Sequence, residues 1–278
     1  MFNILFYPLL FIFGGAIGSF INVIVDRLYI KSFWGGRSVC QSCSKKLSWY
    51  EMIPVLSFIF LKGRCRKCKV NIGWKHFWVE LILGILTVLT YKFLLIDYFS
   101  IFASSSVIWT GILLAIFYVF IFILLFVVLL YDLKHKIVPI QFSLLIILVG
   151  ISFEVYRIYN YLSIYSGFTT LFWLDLFSGF LVSLPFLIIF LLSKGKAVGF
   201  GDILLLFGVG YITGFIFGVS TFLLSIWIGA LISLLMLYLF PNKYNRKSEI
   251  PFAPFIVIAT VLMIFLEIDV VGLSMFLY

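Results

Sequence analysis

The chain has 278 residues, of which 64% are hydrophobic and 11% are charged, and its formal net charge is +9. Soluble domains carry about 25% charged residues, so this composition excludes an ordinary soluble domain and predicts a protein that crosses a membrane several times. We interpret the positive charge as a signal of membrane orientation, and we expect no nucleic-acid partner.

Apolar segments long enough to cross a bilayer recur along the whole chain. A transmembrane helix needs roughly 20 apolar residues. The segments that meet this criterion are 4–26, 77–96, 105–131, 137–157, 170–193, 202–217, 218–240 and 252–276. The sixth and seventh share a glycine-rich stretch, so a turn within 213–218 has to separate them. The predicted fold is an all-α, polytopic membrane bundle of about eight transmembrane helices with a small cytoplasmic insert.

Basic residues concentrate on one side of this eight-span arrangement. They lie in the loop 27–75 and in the turns 134–136, 194–196 and 243–247. The positive-inside rule places these regions in the cytoplasm and both termini outside. A seven-span arrangement would move the last basic turn to the other side, so the charge pattern also favours a split between the sixth and seventh segments.

The loop after the first segment is the largest polar region. We divide the chain into a first transmembrane helix at 1–29, a cytoplasmic insert at 30–76 and a membrane-embedded domain at 77–278. A domain as short as this insert cannot bury a sufficient core and usually needs a metal or disulfides to stabilise it.

All four cysteines of the chain lie in the insert, as two Cys-x2-Cys pairs. They are Cys40, Cys43, Cys65 and Cys68. Two such pairs are typical of a tetrahedral zinc site. A pair of disulfides is the alternative, but thiols stay reduced in the cytoplasm, where the charge pattern places the insert. Because no open ligand position or general base is evident, we predict a structural zinc site.

Two aspartates at the ends of apolar segments are candidate catalytic residues. Asp132 follows the apolar run 107–131, and Asp202 opens the sixth segment after Gly199-Phe200-Gly201. The topology places both at the cytoplasmic surface. An aspartic hydrolase uses one carboxylate as a base for water and a protonated partner as an acid. The structural alternative is that Asp202 caps a helix and Asp132 neutralises nearby lysines.

The chain resembles the type IV prepilin peptidases, which are membrane aspartic proteases of the Gly-x-Gly-Asp class, and the resemblance spans most of its length. The residues that carry it are 18–23 with Arg27, the cysteine pairs around 49–57, Asp132 with Ile137 and Pro139, 196–202, and 251–255. Their order and spacing together are specific. Three positions depart from the family pattern: Tyr29 replaces a common proline, Ile203-Leu204 replaces a hydrophobic-lysine pair, and Ala253 replaces a frequent glycine.

This resemblance implies an enzyme of the inner membrane that acts on prepilin or pseudopilin precursors. It implies that Asp132 and Asp202 cut the short basic leader at the cytoplasmic face. It further implies N-methylation of the new N-terminus with S-adenosylmethionine as donor. No glycine-rich nucleotide-binding motif is evident. The candidates for methyl-donor binding are residues near the insert: Trp49, Glu51, Glu80 and Gly84.

Three other functions remain open from the sequence. The first is a peptidase without methyltransferase activity. The second is a non-enzymatic zinc-knuckle membrane scaffold, for which a Cys→Ser change would disrupt a complex while no peptide is cut. The third is a transporter, since broken helices and intramembrane acids are common there. The surface position of both aspartates disfavours the transporter.

Overall fold

The computed structural model describes residues 2–28, 39–40, 42–96, 105–164, 169–241, 245, 248–270 and 272–273. Within these residues the regular secondary structure is helical, which confirms the all-α fold class. The β pairing described there is limited to two isolated antiparallel bridges. Predicted features at residues 29–38, 41, 97–104, 242–244, 246–247 and 274–276 lie outside the described residues. The α-helices are α1 (Phe2–Arg27), α2 (Leu56–Phe60), α3 (Trp74–Thr90), α4 (Ser105–His135), α5 (Ile140–Ile164), α6 (Thr170–Leu176), α7 (Ser178–Ser193), α8 (Phe200–Leu239) and α9 (Ala253–Leu266).

Five of these helices are long and apolar enough to cross a membrane, or six if α6 and α7, bent by 61°, form one span. The polytopic membrane character is confirmed, whereas the predicted number of eight spans is not. Helix α9 has 14 residues, so it is about 21 Å long and shorter than a hydrocarbon core of about 30 Å. It ends at Leu266, and the next residue, Glu267, adopts a left-handed backbone conformation.

Helix α8 has 40 residues and would be about 60 Å long if it were continuous. It is interrupted at Gly214, whose backbone angles are φ 79° and ψ 178°, a region open essentially to glycine alone. This break lies within the stretch 213–218, where the sequence predicts a turn. The sixth and seventh predicted segments are thus two helical parts that meet at Gly214.

Side chains from two other helices satisfy the backbone groups around this break. The Phe215 N–H donates to Asp175 Oδ1 at 2.8 Å, and Arg157 Nη2 donates to the Tyr211 carbonyl at 2.6 Å. Arg157 also forms an ion pair with Glu154, which is buried. These charged side chains therefore hold the break in place, because backbone groups without a partner are costly inside a membrane protein.

The chain forms two compact units, residues 1–123 and 124–278, with the boundary inside α4. The predicted division at 29 and 76 stays a prediction. In the first unit α1 packs closely along α3. A Cβ atom at Gly18 would lie 2.9 Å from the Glu80 Cα, and one at Gly84 would lie 2.8 Å from the Phe11 ring. Small residues allow this close approach of the two helices.

In the second unit α8 packs against α5, α7 and α9. The last turn of α4 carries Asp132 and the first turn of α8 carries Asp202, the two residues that the sequence singled out for catalysis. The first turn of α9 carries part of the segment 251–255 that contributes to the family resemblance.

Candidate active site and metal centre

Asp132 lies in the last turn of α4 and has only 3% of its surface exposed. The helix ends just beyond it, where Lys136 adopts a left-handed conformation with φ 55° and donates its N–H to the Asp132 carbonyl at 2.7 Å. The sequence predicted this aspartate in the turn after the helix. The structure extends the helix to His135, and this extension gives the carboxyl group a fixed direction.

Asp202 lies in the first turn of α8, three residues after Gly199, which occupies the N-cap position. The Gly199 N–H is hydrogen-bonded to the Asp202 carboxyl group, so Asp202 also makes the capping contact of the structural alternative. A Cβ at Gly201 would lie 2.6 Å from the Val138 Cβ, so only glycine lets this turn approach the connection between α4 and α5 so closely. As a result the carboxyl groups of Asp132 and Asp202 are close enough to interact electrostatically.

The start of α9 completes this site. Ala253 is fully buried, and its backbone N–H is hydrogen-bonded to the Asp132 carboxyl group. The first residues of a helix have N–H groups without a partner in the helix, so they can donate to a carboxylate. The sequence did not predict this donor. The signal that could have found it is Pro251-x2-Pro254, because proline favours the first turn of a helix.

Each aspartate keeps one buried oxygen without a hydrogen-bond donor from the part of the chain that the structure describes. These oxygens are Asp132 Oδ2 and Asp202 Oδ1. Buried polar atoms normally have a partner, and exceptions often mark a functional site. These two oxygens can accept hydrogen bonds from a water molecule. The pair can therefore orient that water between a carboxylate that acts as base and a carboxyl group that acts as acid.

We predict that Gly201→Ala lowers the rate of peptide cleavage by roughly tenfold or more, because a 1 Å misplacement can cost that much. The new methyl group would collide with Val138 and displace Asp202 from Asp132. Steady-state cleavage of a leader-bearing peptide measures the effect. The control is Gly73→Ala, since a Cβ at Gly73 would meet nothing within 4 Å. Equal rates for both variants would show that the close approach at Gly201 is not needed.

The four cysteines come together in the first unit. Their sulfur atoms all lie within 4.8 Å of one another, and Cys40 Sγ and Cys68 Sγ are 3.7 Å apart. A tetrahedral zinc with bonds of about 2.3 Å to sulfur requires sulfur atoms about 3.8 Å apart. A disulfide requires about 2.05 Å, so the structure disfavours that alternative. The cluster can bind a metal ion.

The two cysteine pairs have the same local structure. Cys40 and Cys65 each donate their N–H to the carbonyl five residues later, at 2.9 Å. Ser44 and Lys69, which follow the second cysteine of each pair, both adopt left-handed conformations. The N–H groups of Cys68 and Lys67 lower the pKa of Cys65 to about 6, which favours the thiolate that a metal binds.

The structure assigns packing or hydrogen-bonding contacts to the predicted methyl-donor residues. Glu51 accepts from Lys45 Nζ at 2.7 Å and from the Ser48 N–H at 2.8 Å. The Lys45 ammonium and this N–H hold the pKa of Glu51 below its ordinary value. Glu80 accepts from the Val55 N–H at 2.8 Å and so ties the insert to α3.

The other two predicted methyl-donor residues are Gly84 and Trp49. Gly84 lies in the contact between α1 and α3, where a Cβ would lie 2.8 Å from the Phe11 ring. Trp49 is 75% exposed and meets the Tyr50 ring edge to face. The assignment of these four residues to a methyl-donor site stays a prediction.

A helical membrane fold in which a buried Asp132 interacts with a half-buried Asp202 resembles the arrangement expected of a membrane aspartic peptidase. Two family models match the chain: the bacterial peptidase A24 N-terminal domain at residues 12–94 and the type IV leader peptidase family at residues 119–234. Together they cover most of the chain, which belongs to the type IV leader peptidase family. The resemblance found in the sequence is confirmed.

Curated relatives match over different lengths. A prepilin leader peptidase/N-methyltransferase of Bacillus subtilis (strain 168) is 29% identical over 91% of this chain and 92% of the relative. One of Aeromonas salmonicida (strain A449) is 27% identical over 92% and 89%. One of Myxococcus xanthus (strain DK1622) is 43% identical, but the match covers only 31% of this chain and 26% of that protein. No solved structure matches the chain significantly.

Proposed function

We propose that this chain removes the short basic leader from prepilin-like precursors, with Asp132 and Asp202 as the catalytic residues. The observation that carries the proposal is the pair of interacting carboxyl groups at the ends of α4 and α8, each with a buried oxygen that lacks a donor from the described residues. The family match and the names of the relatives support the same reaction.

In the proposed mechanism one aspartate is ionised and the other carries a proton. The ionised carboxylate takes a proton from a bound water as that water attacks the carbonyl carbon of the scissile peptide. The protonated carboxyl stabilises the oxyanion by a hydrogen bond and then gives its proton to the leaving amine. The Ala253 N–H orients the Asp132 carboxyl group throughout.

We place this site at the cytoplasmic face of the inner membrane. The end of α4 and the turn after it carry Lys134 and Lys136, and the turn before α8 carries Lys194 and Lys196. The positive-inside rule assigns these lysines to the cytoplasm. The basic leader of a precursor would lie on the same side, N-terminal to a hydrophobic segment held in the bilayer. The substrate segment would then approach the aspartates from within the membrane.

Incubation of the purified chain with a prepilin precursor tests this proposal. Mass spectrometry should show a product that has lost its leader, with a cut at a single position. An intact precursor under conditions in which the chain is folded would contradict the proposal and favour the scaffold or the transporter.

We further propose that the chain methylates the new N-terminus, with S-adenosylmethionine as donor. This rests on the N-methyltransferase part of the relatives' names. Adding a labelled methyl donor to the cleavage reaction distinguishes a bifunctional enzyme from a peptidase alone. The bifunctional enzyme yields a product heavier by one methyl group, whereas a peptidase alone yields unlabelled product.

We assign the four-cysteine cluster to a structural zinc ion. All four ligand atoms come from the protein, so the site leaves no open position for a reacting water. Zinc would supply folding energy here, and no step of the cleavage passes through it.

Removal of this metal should unfold the insert. Binding of zinc to comparable small sites contributes about 10–16 kcal/mol, which a short segment without a core cannot replace. We expect one zinc per chain by elemental analysis, and faster amide exchange over residues 42–72 after chelation or in Cys65→Ser. The control is Ser57→Ala, which keeps all four sulfurs. Unchanged exchange in the metal-free chain would contradict a structural role.

A further inference from the structure

The insert carries a basic cavity that neither the metal cluster nor the aspartates use. Its volume is about 460 Å³, and its lining residues are Phe60, Leu61, Lys62, Arg64, Arg66 and Lys69. The four cations in this set are all exposed. None of them forms an ion pair with an acid in the described part of the chain. The one acid of the insert, Glu51, is already paired with Lys45.

The backbone of the second cysteine pair holds these cations in place. Lys62 and Lys69 both adopt left-handed conformations, with φ of 51° and 58°. Arg64 forms an antiparallel bridge with Asn71. The Arg66 guanidinium donates to the Tyr50 hydroxyl at 2.6 Å and lies over the Tyr50 ring. The positive charges therefore surround one cavity on a fixed scaffold, and a compact anion is the chemistry that complements them.

Apolar side chains border the same cavity. Phe60, which lines it, is 81% exposed, and its chain neighbour Ile59, which does not line it, is 56% exposed. Cations beside exposed apolar side chains are typical of a segment that lies in the headgroup region of a membrane. A basic leader peptide would be repelled by this surface, whereas a molecule with an anionic head and an apolar tail would satisfy both parts of it.

We propose that this cavity binds the headgroup of an anionic phospholipid, with Phe60 and Ile59 placed among the upper parts of the acyl chains. Phosphate and glycerol oxygens accept hydrogen bonds from the lysine and arginine donors. Phospholipids surround a membrane protein, so a lipid of the adjacent leaflet would hold the insert against the bilayer surface.

Lipid titration of the delipidated full-length chain in detergent, followed by native mass spectrometry, tests the proposal. The probes are dioleoyl phosphatidylglycerol and dioleoyl phosphatidylcholine. We expect a preference for phosphatidylglycerol of at least roughly tenfold, which the double variant Lys62→Gln/Arg64→Gln lowers by about tenfold or more. The matched control is Lys46→Gln/Lys67→Gln, which removes two insert charges that do not line the cavity and should keep the preference.

Three outcomes would overturn the proposal. The first is equal affinity of the unaltered chain for the two lipids, and the second is an equal loss of preference in the control variant. The third is displacement of phosphatidylglycerol by millimolar inorganic phosphate, which would define a site for the free anion. Zinc content is measured for every variant, because a loss of zinc shows that the insert has unfolded. If Lys62→Gln/Arg64→Gln loses zinc, Phe60→Gln is tested instead, and it should weaken phosphatidylglycerol binding severalfold.

Discussion

Either Asp132→Asn or Asp202→Asn should lower the rate of leader cleavage by at least about 10³-fold, within the range that general acid–base groups contribute. Asparagine keeps the size of the side chain but neither takes a proton from water nor gives one to the leaving amine. The measurement is single-turnover cleavage of a prepilin precursor. Because the two carboxyl groups act as one unit, the double variant should be no slower than the slower single variant.

The control for these variants is Glu249→Gln, which removes an exposed carboxylate in the basic turn before α9. It should cleave at the normal rate. Thermal unfolding should show both aspartate variants folded, since each replacement is isosteric. Substantial cleavage by either aspartate variant would remove that residue from the mechanism.

The second large effect is expected at the break in α8. Gly214→Ala should lower the free energy of unfolding by roughly 3 kcal/mol or more, because the backbone conformation at Gly214 is strained for any L residue. The new Cβ would also lie 2.5 Å from Arg157 Nη1 and 3.1 Å from Asp175 Oδ1, so the side chains that satisfy the break would have to move.

Thermal unfolding of the detergent-solubilised chain measures this effect. A loss of that size should lower Tm by about 5–10 °C in a protein of this length. Gly73→Ala again provides the comparison, since its Cβ has open space and its backbone φ of −58° suits alanine. A Tm for Gly214→Ala within a degree of that of Gly73→Ala would show that the break tolerates a side chain.

Features that depend on local composition could be predicted from the sequence. Hydrophobicity located the long helices. The glycine-rich stretch located the break at Gly214, because only glycine adopts this backbone conformation without strain. The cysteine spacing predicted the metal cluster, whose four sulfurs the structure brings together. The prediction that Asp132 and Asp202 lie at the same membrane surface depended only on the side of the membrane at which α4 ends and α8 begins.

Features that depend on tertiary packing could not be predicted. The partners around Gly214, Arg157 and Asp175, come from two other helices, and nothing in their local sequence indicates a contact. The Ala253 donor requires knowing that the start of α9 meets the end of α4. Glu80 is a candidate ligand residue because acids are rare in apolar helices, and the sequence does not reveal that its carboxylate accepts from the Val55 N–H.

The repeated structure of the two cysteine pairs has a consequence for how the insert assembles. Each pair orders its own sulfurs through hydrogen bonds between residues at most five positions apart, so the contacts within each half are local in sequence. Joining the halves then requires closure of the single loop from Cys43 to Cys65, at an entropic cost of about 3 kcal/mol. In the proposed zinc site the ion therefore links two locally built halves, and its binding energy greatly exceeds the cost of that closure.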